Sequence, residues 1–243
     1  MRNPEQWRPT RLVRDPATGE FRLNLRRTYP GSFYIAELQR KAYLPLLQAH
    51  LRGALLDIGC GPAPYYEVYA PLTTESMCVD YPGSVHGLDN LDLQLDLNAA
   101  DRLPFPDGRF DSVLATDMIP HIQRPDAFMR ELARVLKPGG KLIITSTFIN
   151  WIGEYPYEYS HPTGPGLRWL AEQAGLEVQH LESFGGHADV LMDTLNKFFP
   201  SGWGNRFFRA FAWAVERTGW PARNRKRTRD RYALGNAMVA CKP

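Results

Sequence analysis

The sequence predicts an α/β fold built on a mainly parallel, doubly wound sheet. Three observations lead to this prediction. Short apolar runs typical of buried strands alternate with segments of helical periodicity. The first of these runs, residues 54–58, passes directly into a glycine-rich turn. The next two runs end near Asp80 and Asp96, and the carboxyl ends of parallel strands are where such sheets bind ligands.

The predicted elements follow one another at the spacing of strand–helix units. Residues 33–50 have apolar residues at helical spacing, interrupted by Pro45, and predict one helix or two short ones. The segment from Pro125 to Leu136 predicts a helix that ends before a Lys-Pro-Gly-Gly turn. The other expected elements are strands at 54–58, 77–80, 91–97, 110–116, 141–147, 176–181 and 233–241, and helices at 167–174, 188–199 and 204–217.

A chain of 243 residues has the length of one full-sized α/β domain, which we expect at residues 31–243. Residues 1–30 are rich in Arg and Pro and predict an extended N-terminal arm. A helical, aromatic-rich insertion is expected at about 187–220, before the last strand. A basic linker over residues 223–229 should connect the two.

Composition excludes several classes of function. A net charge of +3 argues against a general polyanion binder, so no nucleic-acid partner is expected. The three cysteines (Cys60, Cys78 and Cys241) have no metal-ligand spacing, so no metal is expected, and they suit a reducing compartment. We find neither a secretory signal at the start nor an apolar stretch long enough to span a bilayer. The expected location is therefore cytoplasmic.

The turn after the first predicted strand has the features of a nucleotide-like ligand site. Gly59 and Gly61 remove side chains where a ligand must approach the backbone closely. A dinucleotide fingerprint would require a third glycine where Pro64 stands, and the sequence has no Gly-Lys-Ser/Thr phosphate-binding ending. Asp57, directly before the glycines, suits a cationic group such as an α-ammonium better than a pyrophosphate. This asymmetry favours S-adenosylmethionine over NAD.

The next two strands add residues suited to adenosine. Asp80 closes the second strand and can accept hydrogen bonds from both ribose hydroxyls, a device that NAD enzymes share. Asp96 closes the third strand and is followed by Leu97 and Asn98. A carboxylate beside a free backbone N–H matches the exocyclic amine and a ring nitrogen of adenine.

These motifs occur in the order found in class I methyltransferases, and the sequence resembles their type 11 group. Similar proteins have a strand ending Asp-x-Gly-x-Gly, an acidic residue closing the second strand and an Asp-Leu-Asn-like turn. Leu-Pro-Phe-x-Asp-x-x-Phe-Asp and Leu-Lys-Pro-Gly-Gly follow, and this sequence has all five within residues 54–147. It departs from the pattern at Pro120, where similar proteins often have an acidic residue before the histidine.

The resemblance implies a Rossmann-like, seven-stranded doubly wound sheet with helices on both faces and an antiparallel last strand. It also implies S-adenosyl-L-methionine as the cofactor and S-adenosyl-L-homocysteine as the product. By resemblance, the glycine turn surrounds the methionine moiety and Asp80 binds the ribose. Asp96 with Leu97 would contact the adenine, and Asp117 would lie near the sulfonium. The expected cofactor-binding residues are Asp57, Gly59, Cys60, Gly61, Asp80, Tyr81, Asp96, Leu97, Thr116, Asp117 and His121.

Catalytic candidates come from the histidines near the predicted acceptor side. His161 ends an aromatic loop after the fifth predicted strand and is a candidate general base for an acceptor hydroxyl, since imidazole titrates near neutral pH. The alternative is that His161 only orders this loop. His187 is a second candidate, and His121 either lines the acceptor pocket or hydrogen-bonds behind the cofactor.

The C-terminal third combines aromatic residues with a basic run. We expect the aromatic side chains to pack on the sheet and the arginines to lie in a solvated linker. Peripheral membrane contact or a lipid-linked substrate at residues 198–229 is an open alternative, and a nucleic-acid patch is another. The aromatic residues are Phe198, Phe199, Trp203, Phe207, Phe208, Phe211 and Trp213.

The sequence thus predicts a methyltransferase acting on a small-molecule or saccharide acceptor, at oxygen, in natural-product or surface-glycan tailoring. Methylation of nitrogen or of a lipid or quinone-like acceptor is an alternative within enzymes. A non-catalytic S-adenosylmethionine-binding module is an alternative outside them. The protein is expected to be a monomer or a homodimer.

Overall fold

The computed structural model describes residues 1–83 and 90–243. Alternating strands and helices form one seven-stranded sheet, preceded by a separate two-stranded hairpin. In chain order the elements are β1 (Leu12–Arg14), β2 (Phe21–Leu23), α1 (Phe33–His50), β3 (Gly53–Ile58), α2 (Tyr66–Tyr69), β4 (Thr73–Asp80), β5 (Leu93–Gln94), β6 (Phe110–Thr116), α3 (Pro125–Val135), β7 (Leu136–Thr147), α4 (Gly164–Gln173), β8 (Glu177–Phe184), α5 (His187–Phe198), α6 (Gly202–Arg217), α7 (Trp220–Thr228) and β9 (Gly235–Cys241).

The large sheet has the strand order β5-β4-β3-β6-β7-β9-β8. The first five strands in this order, β5, β4, β3, β6 and β7, pair in parallel. Strand β9 lies between β7 and β8 and is antiparallel to both. Strand β3 lies between β4 and β6, with Asp57 opposite Cys78 on one side and Leu114 on the other. This order confirms the predicted doubly wound sheet and its antiparallel last strand.

The central strands bury both of their faces, which is why they read as continuous apolar runs. Leu56 and Val113 belong to a core that includes α3 and α4. Their neighbours Leu55 and Leu114 belong to a second core, which includes α1, α5 and α6. Successive side chains of a strand point to opposite faces, so the helices cover the sheet on both sides.

Helix α1 has the predicted bounds, whereas β4 and β7 begin earlier than predicted, at Thr73 and Leu136, and β5 is shorter. Helix α1 is a single helix that continues through Pro45. Strand β5 covers two residues instead of 91–97, because it pairs only with the end of β4, at Val79 and Asp80. An alternating pattern predicts a strand without showing how far its partner extends.

Residues 1–30 pack against the domain and include a hairpin, which differs from an extended arm. Leu12 and Leu23 are buried in the core beneath α1. The ring of Trp7 lies 5.1 Å from that of Tyr66, and its indole N–H donates to the carbonyl of Pro62 at 3.2 Å. The arm therefore covers the loop that follows β3.

The C-terminal region differs from the expectation in two ways. Most of its aromatic side chains are exposed instead of packed on the sheet, as Trp203 and Phe207 illustrate at 74% and 72% exposure. The predicted basic linker is the helix α7. Its Arg225 guanidinium is half-buried and hydrogen-bonds the buried Asp189 of α5. In the described parts of the chain, no helix is long and apolar enough to cross a membrane.

Asp189 is the anchor of this helical region. Its carboxylate accepts hydrogen bonds from Arg225 Nε at 2.9 Å, from Arg225 Nη2 at 2.8 Å and from the Tyr34 hydroxyl at 2.7 Å. The Asp189 side chain is fully buried, so its carboxylate depends on these protein donors and not on water. Three helices, α1, α5 and α7, meet at this one carboxylate.

Replacing Asp189 with Ala should lower the free energy of unfolding by about 3 kcal/mol, because it leaves a half-buried guanidinium and a buried hydroxyl without their partner. Urea unfolding of the wild type and the variant measures this difference. Asp230→Asn, an exposed change in the same region, is the control and should stay within about 0.5 kcal/mol. Equal stability of D189A and D230N would contradict the anchoring role.

Candidate active site

The turn after β3 is fixed by hydrogen bonds to the neighbouring strand. The backbone N–H groups of Gly59 and Cys60 both donate to the carbonyl of Val79, at 2.8 and 3.2 Å. Gly59 has φ +69°, and a Cβ there would lie 1.8 Å from the sulfur of Met118. The sequence predicts that a ligand approaches the backbone here, whereas in the structure Met118 occupies the space. The turn is thereby locked to the loop after β6.

Asp57 is a buried carboxylate beneath this turn. The Tyr69 hydroxyl donates to it at 2.9 Å. Burial raises the pKa of Asp57 to about 7, and the nearby charge of Asp80 adds to the rise while the Tyr69 hydrogen bond opposes it. A cation arriving at the turn would favour the charged form of this carboxylate.

Asp80, at the carboxyl end of β4, retains capacity for a ligand. One carboxylate oxygen accepts the N–H of Gly61 at 3.1 Å, and the other accepts that of Tyr81 at 2.8 Å. A carboxylate oxygen can accept two hydrogen bonds, so each still has room for a hydroxyl donor. The ring of Tyr81 is exposed next to this carboxylate in the chain.

Asp96 begins the turn after β5. One of its oxygens accepts the N–H groups of Asn98 and Ala99, at 2.9 and 3.3 Å. Leu97 is half-buried against the core, and Asn98 extends to the loop after β6. The Asn98 side chain donates to the carbonyl of His121 at 2.9 Å and accepts the N–H of Gln123 at 2.9 Å. Asn98, outside the predicted set, therefore joins the two loops.

Asp117 follows β6 with φ +54° and is held by residues that the sequence analysis missed. Its carboxylate accepts hydrogen bonds from Gln39 at 3.0 Å and from Tyr43 at 3.0 Å, both on α1. Thr145 on β7 adds a third at 3.3 Å. Burial raises the pKa of Asp117, with Arg11 and these hydrogen bonds opposing the rise. Thr116, one residue earlier, is half-buried and pairs with Thr145 across the sheet.

Gln39 and Tyr43 are four residues apart and share one face of α1. A polar pair at this spacing in an apolar helix is a signal that the sequence contains. Gln39 is almost completely buried, which is uncommon for glutamine. The guanidinium of Arg11 in turn donates to the Gln39 side chain. The N-terminal arm thus reaches Asp117 through one intervening residue.

The three cysteines are buried thiols, as the sequence predicts. Contact with Cys78 and burial raise the pKa of the Cys60 thiol well above its usual range. Cys60 is therefore part of the packing below the turn, and its backbone, through the N–H bonded to Val79, shapes the site. The described residues contain no group of three His, Cys, Asp or Glu side chains arranged to hold a metal ion.

The three candidate histidines differ in what they offer. The two ring nitrogens of His161 lie 3.1 Å from the Phe148 carbonyl and 3.0 Å from the Glu158 carboxylate. Both ring nitrogens are therefore engaged by groups close to or within the same loop. This arrangement fits the alternative in which His161 orders the loop.

His187 is exposed, with its ring 4.9 Å from that of Tyr232. His121 is different: its Nδ1 donates to the carbonyl of Tyr157 at 3.0 Å, which leaves the lone pair on Nε2. The loop after β7 contacts this region again through Tyr159, whose N–H donates to the Pro120 carbonyl at 2.7 Å. His121 lies between the site and the loop of residues 151–163.

The donor set at these strand ends fits S-adenosylmethionine. Asp57 is a buried carboxylate that a cationic methionine moiety would stabilise in its charged form. Asp80 has acceptor capacity for two ribose hydroxyls. The backbone N–H groups of Asn98 and Ala99 both bind the same oxygen of Asp96, which leaves the other oxygen for the adenine amine. The site presents carboxylates where a dinucleotide fold would present backbone N–H groups to a pyrophosphate.

The comparison with known families agrees with this chemistry. A model of the methyltransferase domain matches residues 56–144. A ubiquinone biosynthesis O-methyltransferase of Xanthomonas oryzae pv. oryzae is 34% identical over 106 residues, 40% of this chain and 44% of that protein. A norajmaline N-methyltransferase of Rauvolfia serpentina is 34% identical over 103 residues, 38% of this chain and 35% of that protein. The chain spans less than half the length of these relatives.

Solved structures extend the likeness to nearly the whole chain. The crystal structure of a putative sarcosine dimethylglycine methyltransferase from Galdieria sulphuraria has a TM-score of 0.55 and covers 97% of this chain and 93% of its own. At 17% identity this likeness concerns the fold alone. The family model matches residues 56–144 to a methyltransferase domain, and the strand order and the carboxylates at the strand ends agree with that match.

Proposed function

We propose that this protein transfers a methyl group from S-adenosylmethionine to an oxygen of a small-molecule or saccharide acceptor. The observation that carries the proposal is the convergence of Asp57, Asp80, Asp96 and Asp117 on the ends of four adjacent parallel strands. The cofactor supplies a methyl group activated on a sulfonium. The protein must then align the acceptor with that methyl group and take up the proton of the acceptor hydroxyl.

His121 is the residue we assign to the proton. Its Nδ1 is bound to a backbone carbonyl, so the tautomer is fixed and the free lone pair lies on Nε2. A hydroxyl acceptor is a poor nucleophile until it loses its proton, and a neutral imidazole close to the site serves that need. The proposal therefore moves the base from His161 and His187 to His121.

The other site residues have binding roles in this proposal. Asp57 compensates the positive charge of the methionine moiety, Asp80 accepts from the ribose, and Asp96 with Leu97 holds the adenine. Asp117, fixed by α1, maintains the floor near the transferred methyl group. A saccharide acceptor, the monomeric or dimeric state and a cytoplasmic location stay predictions.

Replacing Asp80 with Ala should weaken binding of S-adenosylhomocysteine by more than about tenfold, the scale of a charge-assisted hydrogen-bond pair. Isothermal titration with the purified protein measures the affinity. Glu75→Gln, at the opposite end of the same strand, is the matched control and should bind as the wild type does. No binding by the folded wild type would refute the cofactor assignment, and unchanged binding by D80A would refute the ribose role.

The pKa of about 7 at Asp57 predicts pH-dependent cofactor binding. Below that pH the carboxyl is protonated and must release its proton when the cationic ligand binds. Affinity for S-adenosylhomocysteine should therefore rise from about pH 6 to about pH 8, by up to about tenfold per unit below the pKa. The raised pKa also means that the ligand-free protein loses stability as the pH rises to about 7.

Asp57→Asn is the control for both effects. It should remove the pH dependence of binding and leave a weaker affinity at all pH values. It should also flatten the fall in unfolding free energy, which runs from the unfolded pKa of 3.8 up to about pH 7. A wild-type affinity that is constant between about pH 6 and about pH 8 would show that Asp57 does not respond to the ligand's charge.

Replacing His121 with Asn should reduce methyl transfer by about a hundredfold or more at neutral pH, while S-adenosylhomocysteine still binds. Transfer of labelled methyl from S-adenosylmethionine to a panel of phenols, catechols and free sugars provides the assay, and mass spectrometry locates the new methyl group. His187→Asn should keep wild-type turnover. A methylated nitrogen or carbon, or an equally active H121N, would contradict the proposal, and cofactor binding without any transfer would favour a binding module.

A further inference from the structure

We infer that the exposed face of α6 and the groove beside it dock the protein on the surface of a bilayer that contains anionic phospholipids. This inference concerns a surface apart from the strand ends that hold the cofactor. It does not depend on the acceptor or on methyl transfer.

The first observation is an aromatic ridge, which we define as Phe198, Phe199, Trp203, Phe207 and Phe211. The last three are spaced by four residues on α6, so they share one face of that helix. All five are exposed, and Phe198 and Trp203 each expose 74% of their surface. The buried residues of α6 are Asn205, Phe208 and Ala212, so other positions of the helix form its packed face and the ridge lies outside the core.

The second observation is the charge beside the ridge. Residues 187–231 contain ten basic and four acidic residues, while the rest of the chain contains 19 basic and 22 acidic. Three of the four acids, Asp189, Asp193 and Glu216, form internal ion pairs with basic residues of the same region. The excess positive charge is therefore local and available to an external anion.

Arg206 and Arg209 project from α6 next to the ridge. Arg206 lies over the ring of Trp203 at 5.4 Å, and Arg209 lies over the ring of Phe33 at 4.6 Å. Within residues 1–83 and 90–243, no carboxylate forms an ion pair with either guanidinium. The rings hold the two guanidinium groups while their N–H donors stay free for an anion.

The third observation is a groove of about 370 Å³ between the N-terminal arm and the start of α6. Both arginines line it, together with Ser201, which precedes the helix. The Ser201 side chain makes no capping hydrogen bond, so the first N–H groups of α6 have no side-chain acceptor at this end of the groove. Thr28 on the opposite wall has a buried hydroxyl oxygen with no partner among the described residues. These groups are suited to a phosphate.

A bilayer surface explains the three observations together. An exposed aromatic face bordered by arginines is suited to a helix that lies in the membrane interface. Phosphate headgroups would meet the arginines and the groove, and the ridge would enter the acyl boundary. A single-stranded nucleic acid stacks its bases on aromatic side chains within a basic groove, whereas of the ridge only Trp203 lines this groove.

Co-sedimentation with vesicles tests the inference. The full chain should bind vesicles of phosphatidylcholine and phosphatidylglycerol in equal amounts and bind phosphatidylcholine alone weakly. Arg206→Gln with Arg209→Gln should lower binding to the anionic vesicles by about thirtyfold, at about 1 kcal/mol per arginine. Phe207→Ser with Phe211→Ser should lower binding to both kinds of vesicle. Raised ionic strength should weaken the wild type and affect the arginine variant little.

The matched control is Arg168→Gln with Trp169→Ser on α4, which removes an exposed arginine and an exposed tryptophan elsewhere. It should bind vesicles as the wild type does. All variants should keep wild-type affinity for S-adenosylhomocysteine, which shows that they are folded. The outcome of the vesicle experiment is therefore independent of the proposed methyl transfer.

Four results would overturn the inference. The first is a wild type that binds neither kind of vesicle, and the second is a control variant as impaired as the arginine pair. The third is a dimer, seen by light scattering, that Phe207→Ser with Phe211→Ser converts to a monomer, because the ridge would then join two copies. The fourth is binding of inorganic phosphate or single-stranded RNA through the two arginines in a protein that does not sediment with vesicles.

Discussion

Parallel pairing of β3 with both β4 and β6 is the constraint on which the site depends. The pairing places Asp57 opposite Cys78 and Leu114, so the ends of three strands lie side by side. The carbonyl of Val79 then receives two N–H groups from the turn after β3. A turn fixed in this way cannot move away from Asp80, which binds its Gly61 N–H. The arrangement of the binding groups is therefore a consequence of backbone pairing.

The electrostatics of the site follow from where these carboxylates lie. Asp57 and Asp117 are enclosed by packed elements, and burial raises the pKa of both. Buried carboxylates favour a cation, because a positive charge recovers part of the solvation that burial removes. A ligand with a sulfonium and an ammonium meets that requirement, while a pyrophosphate would add to the negative charge. The burial of these carboxylates therefore favours a cationic cofactor over a pyrophosphate, in addition to the hydrogen-bond geometry.

The helices after β8 follow a different principle. A buried carboxylate, Asp189, holds α1, α5 and α7 together through Tyr34 and Arg225. With α7 fixed by this ion pair, the apolar side chains of α6 divide between a buried face and the aromatic ridge. The region contributes side chains to the second core and also forms the aromatic ridge, which makes no contribution to that core. A buried polar anchor therefore coexists with exposed aromatic residues.

The sequence by itself determined the strands, the turn after β3 and the carboxylates at the strand ends. These features are local, because an apolar run and the residue that ends it are neighbours in the chain. Only the tertiary structure decided which groups meet. Asp117 is held by Gln39 and Tyr43, 78 and 74 residues away, and both ring nitrogens of His161 are engaged while His121 keeps a lone pair. The burial of the aromatic residues of α6 also depended on which face of the helix packs against the rest of the protein. Helical periodicity shows that a helix has an apolar face, but it does not show what that face contacts.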